Sequence, residues 1–599
     1  MTITAALENP FDLFSSAFAQ RAVVAVLLLA LIAAAIGWAI VLRDLPFFTH
    51  AIGAGAYPVM VLGVIAGVSI AISALIGAVA FAVCLGIAAG AGRSRGGTVS
   101  SGRRDALTGL AVAAALAVGA VLAARADSDE ALLAISPETL LFGSLLTIDT
   151  NALIVLSAVT LLVLTTAWFA AERWLAGGFD TNVAAHFGSS RSDIALLGAV
   201  AIGAGASLPM TGSLLTGALL IVPAATARML SDRARHLPPI VFLVAAVEGV
   251  FGLYLSLRFD LPTGAAIAAV TGVGFFAAAA AVALRRASGA LRPSVSLATV
   301  SVVALALAGC GGSSNPAADD NAPLNVVATT PQVADIVKQV GGEAVSVSTL
   351  LPPDADPHDY EPRPTAVAAI AEADVIFRSG GELDAWLLPA VKAAGPDSAP
   401  VDLSRAALLL PAGESGEAFN AHWYLDPQNV ARATQRVRDE LIKADPSARE
   451  TLRTNATQYL NEIDLVDKKL TACADDIPEA DRNVMAGHND FAYLADAFGF
   501  KIAAQIASSG QSEPSARELQ ESVDAARAAD VRALIASKGE VSSLDQQVAE
   551  KLNVPLLQLY ADNLTTGDDA STLLDAIAYD VDRITDAVTS GSVSCPAIN

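Results

Sequence analysis

Lysine is missing from the first 310 residues of this 599-residue chain, and charge of any kind is scarce, at 16 % of residues against 54 % apolar. Four cysteines in the whole chain are too few for a disulfide scaffold. No G-x-x-x-x-G-K-[ST] phosphate loop occurs, so this chain does not hydrolyse ATP by that route. No basic excess exists either. The net charge is −23, which excludes nucleic acid as a partner, because phosphate binding needs basic surface. The H-E-x-x-H pairing of helical zinc hydrolases is absent too, and no enzyme is expected.

The scarcity of charge is uneven. Residues 1–310 hold 15 acidic residues and 16 arginines, a balance of +1, whereas residues 311–599 hold 45 acidic and 21 basic residues, a balance of −24. A mean hydropathy of +0.52 is too apolar for one soluble globule, and the chain is too long for one domain. The division reads as a polytopic all-α membrane domain over 1–286, a junction over 287–323, and an extracytoplasmic α/β domain over 324–599.

Apolar runs long enough to cross the hydrocarbon core as helices lie near 22–42, 50–67, 69–90, 106–124, 151–171, 194–207, 212–230, 238–257 and 264–284. The run 194–207 is short and rich in Gly and Ala, which predicts a re-entrant or broken segment rather than a full span. Three arginine loops fall on one side of this count: Arg93, Arg95, Arg103 and Arg104; Arg228, Arg233 and Arg235; and Arg285, Arg286 and Arg292. That side is expected to be cytoplasmic. The N-terminus and the loop bearing Asp127, Asp129, Glu130 and Glu138 then lie outside.

Close helix packing through small residues explains most of the glycines in these spans, so function has to come from longer segments. Gly217-Ala-Leu-Leu-Ile-Val-Pro-Ala-Ala-Thr-Ala-Arg228 follows Pro209-Met-Thr-Gly-Ser-Leu-Leu215, and Phe259-Asp-Leu-Pro-Thr-Gly264 comes after both. With Leu140-Leu-Phe-Gly-Ser-Leu-Leu146 and Val41-Leu-Arg43, residues 18–286 resemble the permease subunits of ABC importers for zinc, manganese and related divalent metals. The resemblance implies a separate ATPase subunit, contacted through Gly178-Phe-Asp-Thr-Asn-Val-Ala-Ala-His-Phe-Gly188, and a permease dimer. The sequence departs from the family at His50 and Ala54. Such permeases usually carry an Asp there and a His four residues on, so any relay through that pair is altered.

The junction has the grammar of an internal secretion signal. Arg285, Arg286 and Arg292 precede an apolar core from Ser294 to Ala306, too short for a comfortable span, which closes on Leu307-Ala308-Gly309-Cys310. That ending matches a bacterial lipobox, in which Cys310 is acylated to membrane lipid after cleavage before it. The competing reading is a tenth membrane helix with an incidental cysteine. Residues 311–323 have the composition of a flexible tether, and both readings send the acidic domain outside.

From residue 324, short β-branched runs alternate with helical patterns, the mark of α/β layering. Strands are expected at Asn325–Thr329, Val345–Thr349, Ala373–Phe377, Asn483–Met485 and Val554–Leu559. Asp445-Pro446 supplies a cap and a first-turn proline for a long helix reaching about Leu470, a rigid bridge between two lobes. Only three histidines occur here: His358 in a Pro-rich loop after a strand, His422 just before Asp426-Pro427, and His488 after a strand. Asp562 follows another strand end. Such ends line the ligand crevice of open α/β sheets, and three imidazoles with one carboxylate suit zinc. A lone His is more often a surface or core residue, and intervals of 64, 66 and 74 residues are no spacing code.

These segments resemble the metal-binding lipoproteins that feed zinc/manganese-type ABC importers. The Pro-His loop, His422-Trp423-Tyr424, His488-Asn-Asp-Phe491 and the late Asp match positions that each supply one ligand in that family. The resemblance therefore implies His358, His422, His488 and Asp562 as metal ligands. Manganese binders of the family tend to carry a carboxylate where His488 stands, so import of zinc is expected, with manganese or iron as the alternative cargo and a membrane-anchored zinc buffer, sensor or adhesin without transport as the other reading. Cys473 and Cys595 would form a disulfide tying the chain end to the second lobe in an oxidising compartment, with two free thiols as the other reading. Cys84 falls within a span and reads as packing.

Overall fold

A computed structural model describes residues 12–14, 16–91, 101–125, 143, 145–179, 189–287, 323–352, 355, 357, 360, 362–395, 399–411, 419–506, 516–539, 541–565 and 570–595. Arg93, Arg95, Arg292, the loop 127–138, residues 180–188, Cys310 and His358 lie outside that set.

The elements of the first half are all helical among the described residues: α1 Ala17–Ile32, α2 Trp38–Leu42, α3 Pro46–Gly55, α4 Tyr57–Ile65, α5 Ile70–Ala91, α6 Ser101–Arg125, α7 Thr150–Phe179, α8 Ser189–Leu230, α9 Leu237–Phe259 and α10 Thr263–Ala287. Among the described residues, seven helical stretches are long and apolar enough to span a membrane, with shorter apolar helices at Ala106–Leu122 and Leu219–Leu230. One expectation is corrected. The run 194–207 belongs to a full 21-residue stretch, Ser192–Gly212, because α8 stays helical until Gly212, where φ is 66°. At that break, the Thr216 hydroxyl donates to Gly212 O at 2.7 Å and meets the Thr211 hydroxyl at 2.8 Å, satisfying backbone the kink releases. Gly143 packs on the same point with φ +73°, and a Cβ there would lie 2.3 Å from Gly212 N. Cys84 is corrected too: it is exposed on the outward face of α5, not packed.

The second half carries two four-stranded parallel sheets. β1 Leu324–Ala328, β2 Val345–Thr349, β3 Val375–Arg378 and β4 Val401–Asp402 order as β2-β1-β3-β4. β5 Asn483–Ala486, β6 Lys501–Gln505, β7 Ala533–Ser537 and β8 Leu556–Leu559 order as β6-β5-β7-β8. The two lobes thus repeat one topology. The helices are α11 Pro331–Gly341, α12 Pro364–Glu372, α13 Leu387–Ala394, α14 Pro427–Ala444, α15 Arg449–Asp475, α16 Ala492–Phe498, α17 Ala516–Ala528, α18 Ser543–Leu552 and α19 Leu573–Val588.

The bridging helix α15 has 27 residues, roughly 40 Å at 1.5 Å per residue, and a 3-10 turn at Pro446–Ala448 leads into it. Leu452, Ala456, Tyr459, Ile463, Val466, Leu470 and Cys473 are buried along it, a three-and-four spacing that keeps one face inward. That face joins both lobes into one continuous core, from Val326 and Phe377 to Val484, Ile535 and Ile584. Outside this shared core, α12 and α13 cover the far face of the first sheet, and α17 and α18 that of the second. Cys473 is bonded to Cys595, with Cα atoms 5.5 Å apart.

Candidate metal centre

His422, His488 and Asp562 stand at corresponding places in the chain. His422 immediately precedes the 3-10 turn Trp423–Leu425, after which Asp426 caps α14 by accepting from Gln428 N at 2.8 Å. His488 sits two residues past β5 and opens the 3-10 turn Asn489–Phe491. Asp562 lies three residues past β8. His488 and Asp562 follow strand ends, whereas His422 is delivered by the turn before α14.

The Asn420 carboxamide fixes the His422 ring. Its Oδ1 accepts the His422 backbone N–H at 2.9 Å, and its Nδ2 donates to Asn489 O, so the amide has one orientation. The ring contact of 3.1 Å from Nδ1 to that same oxygen then puts the ring proton on Nδ1. In the neutral imidazole the lone pair is on Nε2, which lies 3.3 Å from Asp562 Oδ1 and 3.9 Å from Asp490 Oδ1. A ring nitrogen facing two carboxylates is stabilised by positive charge between them, supplied either by a proton or by a metal ion. His422, Asp490 and Asp562 are all buried, at 6 %, 6 % and 1 % exposure, so solvent screens this charge poorly.

His488 is held in the same manner. Its Nδ1 donates to Asp490 Oδ2 at 2.8 Å, leaving Nε2 as the acceptor nitrogen. Carboxylate or carbonyl partners on the remote nitrogen are how metal-binding imidazoles are oriented. Asp490 therefore links two of the predicted ligands. Asp562 is positioned by Tyr424, whose hydroxyl donates to Oδ1 at 3.1 Å, and by Ser537, which donates to Oδ2 at 3.4 Å.

Of the four predicted ligands, His422 and Asp562 are in direct contact, and His488 is linked to His422 through Asp490. Among the described residues, no group of three or more His, Cys, Asp or Glu side chains is placed to hold a metal ion; the fourth predicted ligand, His358, lies outside that set. Its neighbours are fixed: Trp386 Nε1 donates to Pro357 O at 2.9 Å, and the Tyr360 ring meets Trp386 edge-on at 4.8 Å. The orienting roles of Asn420 and Asp490 escaped sequence reasoning. The available signal was a carboxamide or carboxylate two residues from each His, at the mouth of a turn.

A second polar network braces the floor. Asp384, fully buried, accepts from Arg378 Nε at 3.0 Å, Thr329 Oγ1 at 2.7 Å and Ser379 N at 2.6 Å. Ser379 O in turn accepts Trp423 Nε1–H at 3.0 Å, beside His422. In the membrane half, His50 on α3 packs against Gly217, where a Cβ would lie 3.2 Å from His50 Nδ1. The altered position therefore touches the 217–228 segment.

Comparison with known proteins now adds to this geometry. Residues 15–282 match the model of the ABC 3 transport family, and residues 326–587 match that of the periplasmic zinc-uptake complex component A. The chain is a permease of the first family fused to a receptor of the second. The manganese-binding lipoprotein MntA of Halalkalibacterium halodurans is 27 % identical over 285 residues, covering 47 % of this chain and 94 % of that protein. The zinc-binding lipoprotein AdcA of Streptococcus pneumoniae is 28 % identical over 303 residues, covering 47 % of this chain and 59 % of that one. Among solved structures, the periplasmic zinc-binding protein TroA of Treponema pallidum aligns with a TM-score of 0.40 at 21 % identity, over 44 % of this chain and 99 % of that one. The permease half is a multi-pass membrane domain, the receptor half is extracytoplasmic, and the fusion serves an ABC transporter of metal ions whose ATPase is a partner.

Proposed function

We propose that this fused permease–receptor imports zinc, captured by His358, His422, His488 and Asp562. The observation that carries the reading is the ring state of His422, with Nδ1 engaged by Asn420 and Nε2 facing Asp562 at 3.3 Å. Two oriented imidazoles, a third from the Pro-His loop and one carboxylate make an N₃O donor set, which suits a tetrahedral zinc ion. Four protein ligands leave no open position for an activated water, which favours transport over hydrolysis. Acylation at Cys310 would hold the receptor to membrane lipid, and two permease halves would pair across the ATPase.

Manganese is the second reading, favoured by one observation. Asp490 brings a second carboxylate to within 3.9 Å of His422 Nε2, and oxygen donors suit manganese; the relative MntA is named as a manganese binder. Uptake of radioactive zinc and manganese by cells expressing the chain with its ATPase tests both. Zinc accumulation that disappears in His422→Ala supports the proposal, and manganese accumulation alone changes the cargo.

A further inference from the structure

The receptor rests on the permease through the α12–α13 pair, and the permease supplies the side-chain cap of α12. Four receptor helices cap themselves, Thr330 accepting from Val333 N, Asp426 from Gln428 N, Ser542 from Asp545 N and Thr572 from Asp575 N, whereas α13, α15 and α16, like α12, have no side-chain cap of their own. The N-cap position of α12 is Arg363, which makes no side-chain cap bond and has no acceptor to offer. Asp260, at the end of α9 in the permease, supplies the missing acceptor. Its Oδ1 takes the Thr365 N–H at 3.1 Å and the Thr365 hydroxyl at 2.9 Å, while Oδ2 lies 4.0 Å from Arg363 Nη1.

A second anchor grips the other end of the pair. Lys392, in the last turn of α13, lies 2.7 Å from Asp149 Oδ2, and Asp149 Oδ1 accepts from Ala152 N at the start of α7. Burial would raise the Asp149 carboxyl, but the bonds from Lys392 and Ala152 and the charges of Lys392 and Arg21 hold it below the ordinary value. Between the anchors, Val367 is fully buried in the permease core, with Ala368 against it. Lys392 remains 67 % exposed, so its ion pair contributes little alone; the cap and the apolar contact carry more. Asp149 and Asp260 both fall on the side that the arginine loops assign to the exterior.

We propose that α12–α13 is a fixed seat, by which the first lobe stays docked on the permease whether or not the receptor holds metal. Two observations support constancy. One core runs through both lobes, so metal at their seam does not re-aim α12–α13. The matching pair in the second lobe, α17–α18, exposes Gln520, Glu521 and Asp524, a solvated surface unlike that around Val367. The seat also adjoins the metal loop, since α13 begins beside Trp386, which holds Pro357. The inference rests on reading the chain as an importer, but its test does not depend on cargo.

A zero-length carbodiimide, which joins a carboxylate to an amine in direct contact, is applied to the full chain in detergent, metal-free and with zinc. A 149–392 peptide link of equal yield in both states, absent in Lys392→Gln, is the expected result. Asp260→Ala should lower the yield about fivefold, the worth of one helix cap. A wild-type link that is missing, or that forms only with or only without zinc, overturns the seat. If the link persists while zinc uptake fails, the transport reading is at fault and the seat stands.

Discussion

His422 Nε2 and Asp562 Oδ1 stand 3.3 Å apart, although 140 residues separate them. The contact spans the seam between lobes, and each partner is held from behind, His422 by Asn420 and Asp562 by Tyr424 and Ser537. Such second contacts make the site stiff before any ion arrives, which lowers the ordering cost of binding.

Asp490 should matter to metal binding although the proposed ligand set omits it. Asp490→Asn removes the carboxylate that orients His488, and loss of such a contact costs about 10–100-fold in metal affinity. Competitive titration against a chelating dye measures it. An unchanged affinity would mean that His488 needs no such support.

Metal retention should fall as the medium is acidified. Ligand imidazoles must be neutral, and an ordinary imidazole takes up its proton near pH 6.5. Zinc affinity is therefore expected to drop between about pH 7.5 and 5, by more than tenfold per pH unit once several rings compete with protons. Affinity constant over that range contradicts a site built on histidine.

How much of this was legible beforehand follows from how local each signal is. The strands β1, β2 and β3 announce themselves as β-branched runs, β5 and β8 as short apolar ones, and the Asp-Pro starts of α14 and of the turn before α15 are each visible in two residues. β7 reads Ala533-Leu-Ile-Ala-Ser, whose small residues pack between two layers and lack a strand's alternation. His422, His488 and Asp562 were singled out from their chain context and family likeness together. Asn420 and Asp490 were not, because their roles depend on turn geometry. The Asp260–Thr365 cap joins residues 105 apart across two domains, and no local pattern encodes such a contact.

Asp580 predicts a pH effect on stability. It is fully buried on α19, and burial holds its carboxyl well above the ordinary range, although Tyr560 N donates to Oδ1. The folded protein keeps this proton while the unfolded chain, with a carboxyl near pH 4, gives it up. Stability from this group is full at low pH and declines as pH rises from there towards the folded value, by on the order of 1 kcal/mol per unit. Asp580→Asn, which cannot ionise, should flatten the melting temperature between about pH 5 and 8. An unchanged slope would assign the effect to other groups.

The Cys473–Cys595 bond closes a loop of 122 residues and fastens the last turn of α15 to the segment after α19. Cys595→Ser is expected to cost about 2–4 kcal/mol of stability, read as an earlier denaturation midpoint under oxidising conditions. Wild type in reductant should match the mutant. A mutant as stable as the oxidised wild type would show that the bond restrains nothing.

The most direct measurement is the metal content of the purified full chain, followed by competitive titration of wild type and His488→Ala. One zinc per chain, held more tightly than manganese and lost in the mutant, is the predicted result. No bound metal, or a zinc that His488→Ala retains unchanged, would contradict the account.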